Sequence, residues 1–161
     1  MSRDVVVKRD EILKVVPYGP SFCFIDRIIK VFGKGGQAVI QGEYTVKTKD
    51  CEGHFENISV FPGIKKQEAI AQLGVYWLRT QPGFQNHLAM YSGKYQGEDI
   101  GVVLPGDRLE LKFQVIEFDG KKRGKAEGFA SVNGKIVQTF KFAFRIMSEK
   151  ALKRILSKRQ R

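Results

Sequence analysis

Two ionisable side chains, His54 and Glu68, have the types and the spacing of an acid–base pair. Glu68 lies in the most apolar helical segment of the chain, where a carboxylate needs a partner or a shifted pKa. His54 comes just before the Pro62-Gly63 start of that segment, so its side chain can reach the first turn of the helix. Either residue alone would more often be structural or solvent-facing. Together they are a candidate site for general acid–base chemistry.

The helix that carries Glu68 is predicted over residues 64–78, and Pro82-Gly83 ends it. Its apolar positions, among them Ile70, Leu73 and Trp77, cover too wide a surface for a helix with one solvated side. We therefore expect this helix to be largely buried, with Glu68 held among apolar neighbours.

Most of the remaining chain has the alternation of half-buried strands. The predicted elements are a short helix over 11–16 ended by Pro17, strands over 22–32, 38–46 and 109–115, and a hairpin at Asn133-Gly134 between 129–132 and 135–146. One long buried helix with many antiparallel strands predicts an α+β domain in which a curved sheet covers the helix. We expect one domain over 1–147 and a basic C-terminal tail over 148–161.

The segment around the two residues resembles the active-site motif of the bacterial 3-hydroxyacyl-[acyl-carrier-protein] dehydratases. That motif has Gly-His-Phe, a short loop, Pro-Gly, and a helix that begins with a glutamate followed by Ala-x-Ala-Gln. The matching stretches here are Gly53-His54-Phe55, Pro62-Gly63 and Glu68-Ala69-Ile70-Ala71-Gln72. Pro17, the apolar Asp26-Arg27 segment, the Pro105-Gly106-Asp107 turn and the Asn133-Gly134 hairpin extend the resemblance over about residues 10–147.

The resemblance implies a hot-dog fold, in which a long central helix is wrapped by a curved antiparallel β-sheet, assembled as a homodimer or a trimer of dimers. It implies that the protein eliminates water from a 3-hydroxyacyl thioester in fatty-acid biosynthesis to give a trans-2-enoyl thioester. His54 would be the base that removes the C2 proton, and Glu68 the acid that protonates the departing oxygen. In the family the two residues of one site come from different subunits. A glutamate at position 68 favours a simple dehydratase over the related isomerising enzymes.

Two neighbours have predicted supporting roles. The backbone N–H of Gly63, at the positive end of the buried helix, would stabilise the enolate oxygen. Gln72 lies one turn beyond Glu68 on the same helix face and would orient it. We expect neither a cofactor nor a metal, since Cys51 and His54 lack the second ligand pair of a zinc site.

The formal net charge of +11 indicates an acidic partner, and much of that charge lies in the C-terminal tail. Nucleic acid, anionic lipid and an acidic protein are all possible on charge alone, as is a merely solvated tail. The resemblance implies an acyl carrier protein, for which Lys65, Lys66 and the tail are candidate docking residues. We find no nucleic-acid motif, no apolar run long enough for a membrane span and only two cysteines, and we expect a cytoplasmic protein.

Several positions differ from the family pattern. Glu56 and Ser59 replace two usual prolines, and Tyr18 replaces the histidine that usually follows Pro17. Residues 98–101, Glu-Asp-Ile-Gly, replace a basic–aromatic–basic run. These differences predict a divergent member that serves a specialised pathway. A hot-dog acyl thioesterase, a non-catalytic hot-dog subunit and a basic nucleic-acid binder are the alternative interpretations.

Overall fold

A long helix, α2 (Gly63–Thr80), packs against a seven-stranded antiparallel sheet in the computed structural model, which describes residues 6–160. The strands are β1 (Val7–Lys8), β2 (Arg27–Phe32), β3 (Val39–Thr45), β4 (His87–Asp99), β5 (Arg108–Phe118), β6 (Arg123–Val132) and β7 (Lys135–Ser148). Their order across the sheet is β1-β2-β3-β5-β6-β7-β4, so β4 forms one edge. Helix α1 (Arg9–Val15) lies between β1 and β2 in the chain, and α3 (Glu149–Arg159) follows β7.

The core lies between α2 and the inner face of the sheet. Inward positions of β5 alternate with outward ones, and Leu109, Leu111, Phe113 and Val115 are all buried. Gly74 brings α2 close to this face, because a Cβ at that position would lie 2.5 Å from the Phe113 ring. The predicted α+β class and the largely buried helix are therefore confirmed.

The hairpin predicted at Asn133-Gly134 joins β6 to β7, with Val132 paired to Lys135. Asn133 has φ 50° and Gly134 has φ 75°. A two-residue hairpin turn of type I′ needs positive φ at both positions, which asparagine and glycine tolerate best. This local rule fixes the pairing next to the turn, and a register shift between Ala130 and Ser131 sets the rest of the β6–β7 pairing.

Three elements differ from the sequence-based expectation. The strand expected from residue 22 begins at Arg27, since Phe22 ends a 3-10 turn and the chain then turns Phe24 into the core. Strand β4, which begins at His87, is absent from the elements predicted from the sequence. Residues 149–159 of the predicted tail form α3, because Ser148 caps the helix by accepting the Ala151 N–H at 3.2 Å.

Among residues 6–160, no helix is both long enough and apolar enough to cross a membrane.

Candidate functional site

Glu68 lies on α2 with its carboxyl group at the wall of an apolar cavity. Burial raises the pKa of this carboxyl, while hydrogen bonds from Gln72 and Tyr91 lower it in part. Gln72 Nε2 donates to Glu68 Oε1 at 3.1 Å, and the Tyr91 hydroxyl lies 3.4 Å from Glu68 Oε2. The net upward direction means that this carboxyl holds its proton to a higher pH than an exposed glutamate does, as an acid catalyst requires.

The cavity has a volume of about 250 Å³ and extends from Glu68 along the C-terminal half of α2. Its walls come from α2 and from strands β4, β5 and β7. Aromatic side chains contribute much of the lining: Tyr18, Trp77, Tyr91, Phe113, Phe142 and Phe144. An apolar space that ends at a single carboxyl group suits an acyl chain with one polar reacting end.

Gln72 is completely buried and fixes Glu68 relative to the segment before β2. Its Oε1 accepts the Phe24 N–H at 2.8 Å, and its Nε2 donates to the Phe22 carbonyl at 2.8 Å as well as to Glu68. Because the amide is held by two backbone groups, its orientation toward Glu68 is determined. The amide thus holds one carboxyl oxygen of Glu68 in place, and a catalytic positioning role for Gln72 stays a prediction.

His54 lies in the loop between β3 and α2, where local hydrogen bonds hold its backbone. Its N–H donates to the Cys51 carbonyl and its carbonyl accepts from Val60, both at 3.0 Å. The ring stacks on Phe55, and its Nδ1 lies 3.0 Å from the Val60 carbonyl oxygen. Since that carbonyl can only accept, this contact assigns the donor role to Nδ1 and leaves Nε2 as the ring nitrogen that could act as a base.

A single chain does not bring the two candidate residues into one cavity. His54 is not among the described residues that line the space beside Glu68. The surface around the His54 loop and the β4 edge is instead rich in exposed apolar side chains. Those between 47% and 75% exposed are Phe55, Ile58, Ile64, Tyr91, Tyr95, Ile100, Val102 and Leu104.

Gly63, the candidate oxyanion donor, is the first residue of α2, so its N–H lies outside the hydrogen-bond ladder of the helix. The space beside it is taken by Asp99, whose Oδ2 would lie 2.0 Å from a Cβ at position 63. A side chain at position 63 would therefore displace the Asp99 carboxylate from its present place, and it would also obstruct the approach of a thioester. A thioester oxygen bound at Gly63 would lie close to this carboxylate.

The docking role expected for Lys66 is corrected by its burial. Its residue exposure is 1%, and its ammonium group bonds to Asp99 Oδ1 at 2.5 Å and to the Gly101 carbonyl at 2.7 Å. A buried lysine requires such partners, and Asp99, from the divergent segment 98–101, supplies the charge. Lys66 joins the first turn of α2 to the end of β4 and offers no charge to a docking protein.

Lys65 is half-buried and turns toward the loop that precedes His54. Its ammonium group donates to the Asp50 carbonyl at 2.6 Å and lies 5.9 Å from the centre of the Phe24 ring. Asp50 is itself buried and accepts the Tyr44 hydroxyl at 2.6 Å. Lys65 thus ties α2 to the His54 loop, and a docking role for it stays a prediction.

Neither Tyr18 nor Tyr91 was predicted to lie beside Glu68, although both line its cavity. Tyr91 contacts Glu68 directly, and the nearby Glu68 charge adds to burial in raising the pKa of Tyr18. The pairing of β4 with β7 places Tyr91 opposite Phe144, above α2. No local pattern in the sequence indicates this long-range register.

Glu68→Gln is expected to make the stability of the protein less dependent on pH. Burial raises the Glu68 pKa above its ordinary value of 4.5, so the folded chain holds this proton more tightly than the unfolded chain does. The resulting stability is present below 4.5 and is lost as the pH rises through the higher folded value. Urea denaturation at pH 4 and pH 8 measures the free energy of unfolding. Relative to the wild type, the value for the variant should be higher at pH 8 than at pH 4. Glu52→Gln, which alters an exposed carboxylate, is the control. If Glu68→Gln changed the free energy of unfolding equally at both pH values, the result would contradict the argument.

Comparison of amino-acid sequences shows that the chain is similar to acyl-thioester dehydratases. A family model described as "FabA-like domain" matches residues 16–141. The 3-hydroxyacyl-[acyl-carrier-protein] dehydratase FabZ of Roseiflexus sp. (strain RS-1) is 33% identical over 141 residues, which cover 86% of this chain and 96% of that protein.

Solved structures of low sequence identity share the fold. The dehydratase heterocomplex ApeI:P from Xenorhabdus doucetiae has a TM-score of 0.66 at 18% identity, covering 90% of this chain and 96% of that chain. A hot-dog-like protein from Thermanaerovibrio acidaminovorans has a TM-score of 0.62 at 14% identity, covering 75% of this chain and 89% of that chain. The fluoroacetyl-CoA thioesterase FlK has a TM-score of 0.67 at 9% identity, covering 79% and 98%. These likenesses confirm the expected hot-dog fold and, at such identities, nothing finer.

Proposed function

This chain belongs to the FabA-like family of 3-hydroxyacyl-[acyl-carrier-protein] dehydratases, and we propose that it eliminates water from a 3-hydroxyacyl thioester, carried on an acyl carrier protein, to give a trans-2-enoyl thioester. The observation that carries the proposal is the Glu68 carboxyl, held at the wall of an apolar cavity with its pKa raised by burial. A carboxyl that holds its proton to a higher pH than an exposed glutamate, beside an acyl-sized space, suits the acid that loss of a 3-hydroxyl group requires.

The two proton transfers fit the two residues. His54 Nε2 takes the C2 proton, and the electron pair of that C–H bond forms the C2–C3 double bond as the C3–O bond breaks. The Glu68 proton joins the departing hydroxyl group, which leaves as water. His54 ends protonated and Glu68 ends ionised, so the pair is reset when solvent returns one proton and removes the other.

The thioester carbonyl gains negative charge while C2 loses its proton. The Gly63 N–H, at the positive end of α2, is the proposed donor to that oxygen. Because Asp99 lies beside Gly63, the carboxylate must share this region with the substrate. The Lys66 ammonium group offsets that charge through its bond to Asp99.

A second copy of the chain is proposed to complete each site. The exposed apolar side chains around β4 and the His54 loop form a surface of the kind that marks a protein–protein interface. β4 is a thirteen-residue edge strand, with no strand on its outer side within the described chain. Pairing there would bury this surface and bring His54 of one chain to Glu68 of its partner, in a homodimer or a trimer of dimers.

Incubation with 3-hydroxyacyl thioesters of several chain lengths tests the proposal. The expected product is the enoyl thioester, measured by its absorbance, with carrier-bound and coenzyme A-bound substrates compared in parallel. Release of free thiol without enoyl product would instead assign a thioesterase. The absence of both products over all chain lengths would leave a non-catalytic subunit as the function.

A further inference from the structure

A cluster of basic side chains occupies the end of the sheet at which β7 passes into α3, and we call it the basic end. It contains nine Lys and Arg residues against two acidic residues, a net charge of +7. The basic residues are Lys121, Lys122, Arg123, Arg145, Lys150, Lys153, Arg154, Lys158 and Arg159, and the acidic ones are Asp119 and Glu149. The pairings of Arg123 with Arg145 and of His87 with Ser148 show that these segments share one end of the sheet.

The arrangement of charge at the basic end is unfavourable for the isolated chain. Arg123 and Arg145 are direct partners on adjacent strands, and both are exposed. The two acids are already engaged. Asp119 Oδ1 accepts three backbone N–H groups of its own turn, and Glu149 pairs with Arg79 at 2.9 Å. Within residues 6–160, none of the nine basic side chains forms an ion pair, so the cluster is suited to an external anion.

Helix α3 adds an apolar face to this charge. At 100° per residue, Ala151, Leu152, Ile155 and Leu156 fall on one side of the helix, and most of its basic residues fall on the other. Ile155 and Leu156 are 43% and 48% exposed, so the sheet does not cover this face completely. A basic polar face combined with exposed aliphatic residues is typical of helices that lie in a bilayer interface. Nucleic acid would use the charges but not the aliphatic side chains.

The position of α3 separates it from the candidate site. Arg79, which anchors α3 through Glu149, lies at the opposite end of α2 from Glu68, about 16 Å away at 1.5 Å per residue. A carrier protein docked on α3 would therefore stand at the end of α2 opposite Gly63. We propose that the basic end binds the surface of an anionic lipid bilayer, with Ile155 and Leu156 inserted at the acyl boundary and the basic side chains on headgroup phosphates.

Co-sedimentation of the full chain with vesicles tests this surface. Vesicles of phosphatidylcholine with phosphatidylglycerol should bind the protein at least about tenfold more tightly than phosphatidylcholine alone, and high salt should weaken the binding. Lys153→Glu/Arg154→Glu removes two positive charges and adds two negative ones, and at about fivefold for each unit of charge it should weaken the binding by roughly 100-fold or more. Ile155→Ser/Leu156→Ser should weaken it by about tenfold.

Arg108→Glu/Lys135→Glu is the matched control, with the same change of charge on exposed residues at the opposite end of the sheet. It should keep most of the vesicle binding, and an equal loss in this control would overturn the proposal by showing only a net-charge effect. Equal binding to both vesicle types, or tighter binding to a DNA duplex than to anionic vesicles, would overturn it as well. So would a Lys153→Glu/Arg154→Glu variant that binds vesicles normally but loses activity on carrier-bound substrate alone.

Discussion

His54→Ala and Glu68→Gln are each expected to lower kcat for dehydration by about 10²- to 10⁴-fold, the usual contribution of one proton-transfer group. The alanine removes the Nε2 lone pair that takes the C2 proton. The glutamine keeps the size of the side chain and can still bond to Gln72 and Tyr91, but it has no carboxyl proton for the departing oxygen. Steady-state assays on one 3-hydroxyacyl thioester measure both losses.

Glu52→Gln serves as the control for the glutamate, since it removes an exposed carboxylate from the same region of the chain. Its kcat should stay within about twofold of the wild type, as expected for a surface change. A His54→Ala or Glu68→Gln variant with nearly normal kcat would remove that residue from the mechanism.

Mixing the two inactive variants distinguishes a shared site from a site within one chain. If His54 of one subunit serves Glu68 of its partner, each mixed dimer has one intact site and one doubly altered site. Random reassortment should then restore about a quarter of the wild-type activity. A site within one chain would regain nothing, because every chain carries one substitution. Co-expression with two affinity tags isolates the mixed dimer, which should have about half of the wild-type activity because one of its two sites is intact.

Asp99→Ala is expected to destabilise the fold by about 3 kcal/mol, because it leaves the Lys66 ammonium group buried without its carboxylate. This value lies at the lower end of the usual cost of removing one partner of a buried ion pair, since the Gly101 carbonyl continues to accept a hydrogen bond from Lys66. Lys66→Met should cost no more than about 1 kcal/mol, since it replaces the buried charge with an apolar side chain and leaves the half-exposed Asp99 to water. Urea denaturation at neutral pH measures both free energies of unfolding.

The Lys125–Glu117 pair provides the matched comparison, because both of its side chains are more than 60% exposed. Glu117→Ala should change the free energy of unfolding by less than about 1 kcal/mol. Equal costs for Asp99→Ala and Lys66→Met would show that the pair acts as an ordinary surface ion pair. The asymmetry between the two variants is therefore the decisive result.

Local patterns in the sequence determined the helix that carries Glu68, the Asn133-Gly134 hairpin and the α+β class. Each follows from a rule that acts over a few residues: an apolar helical surface begun by Pro-Gly, a two-residue turn of positive φ, and alternation along strands. The His54 to Glu68 segment also indicated the family, since its residues are contiguous enough to form a recognisable motif. Their catalytic roles stay predictions until the variants are measured.

The tertiary structure alone decided which charges are available and what surrounds Glu68. Lysine is ordinarily exposed, so nothing local indicated that Lys66 is buried against Asp99, thirty-three residues later in the chain. The contact of Tyr91 with Glu68 depends on the pairing of β4 with β7, and the Asp99 carboxylate reaches Gly63 only because β4 ends beside the start of α2. A register between distant strands is a property of the assembled sheet, and the short-range periodicity of a sequence does not contain it.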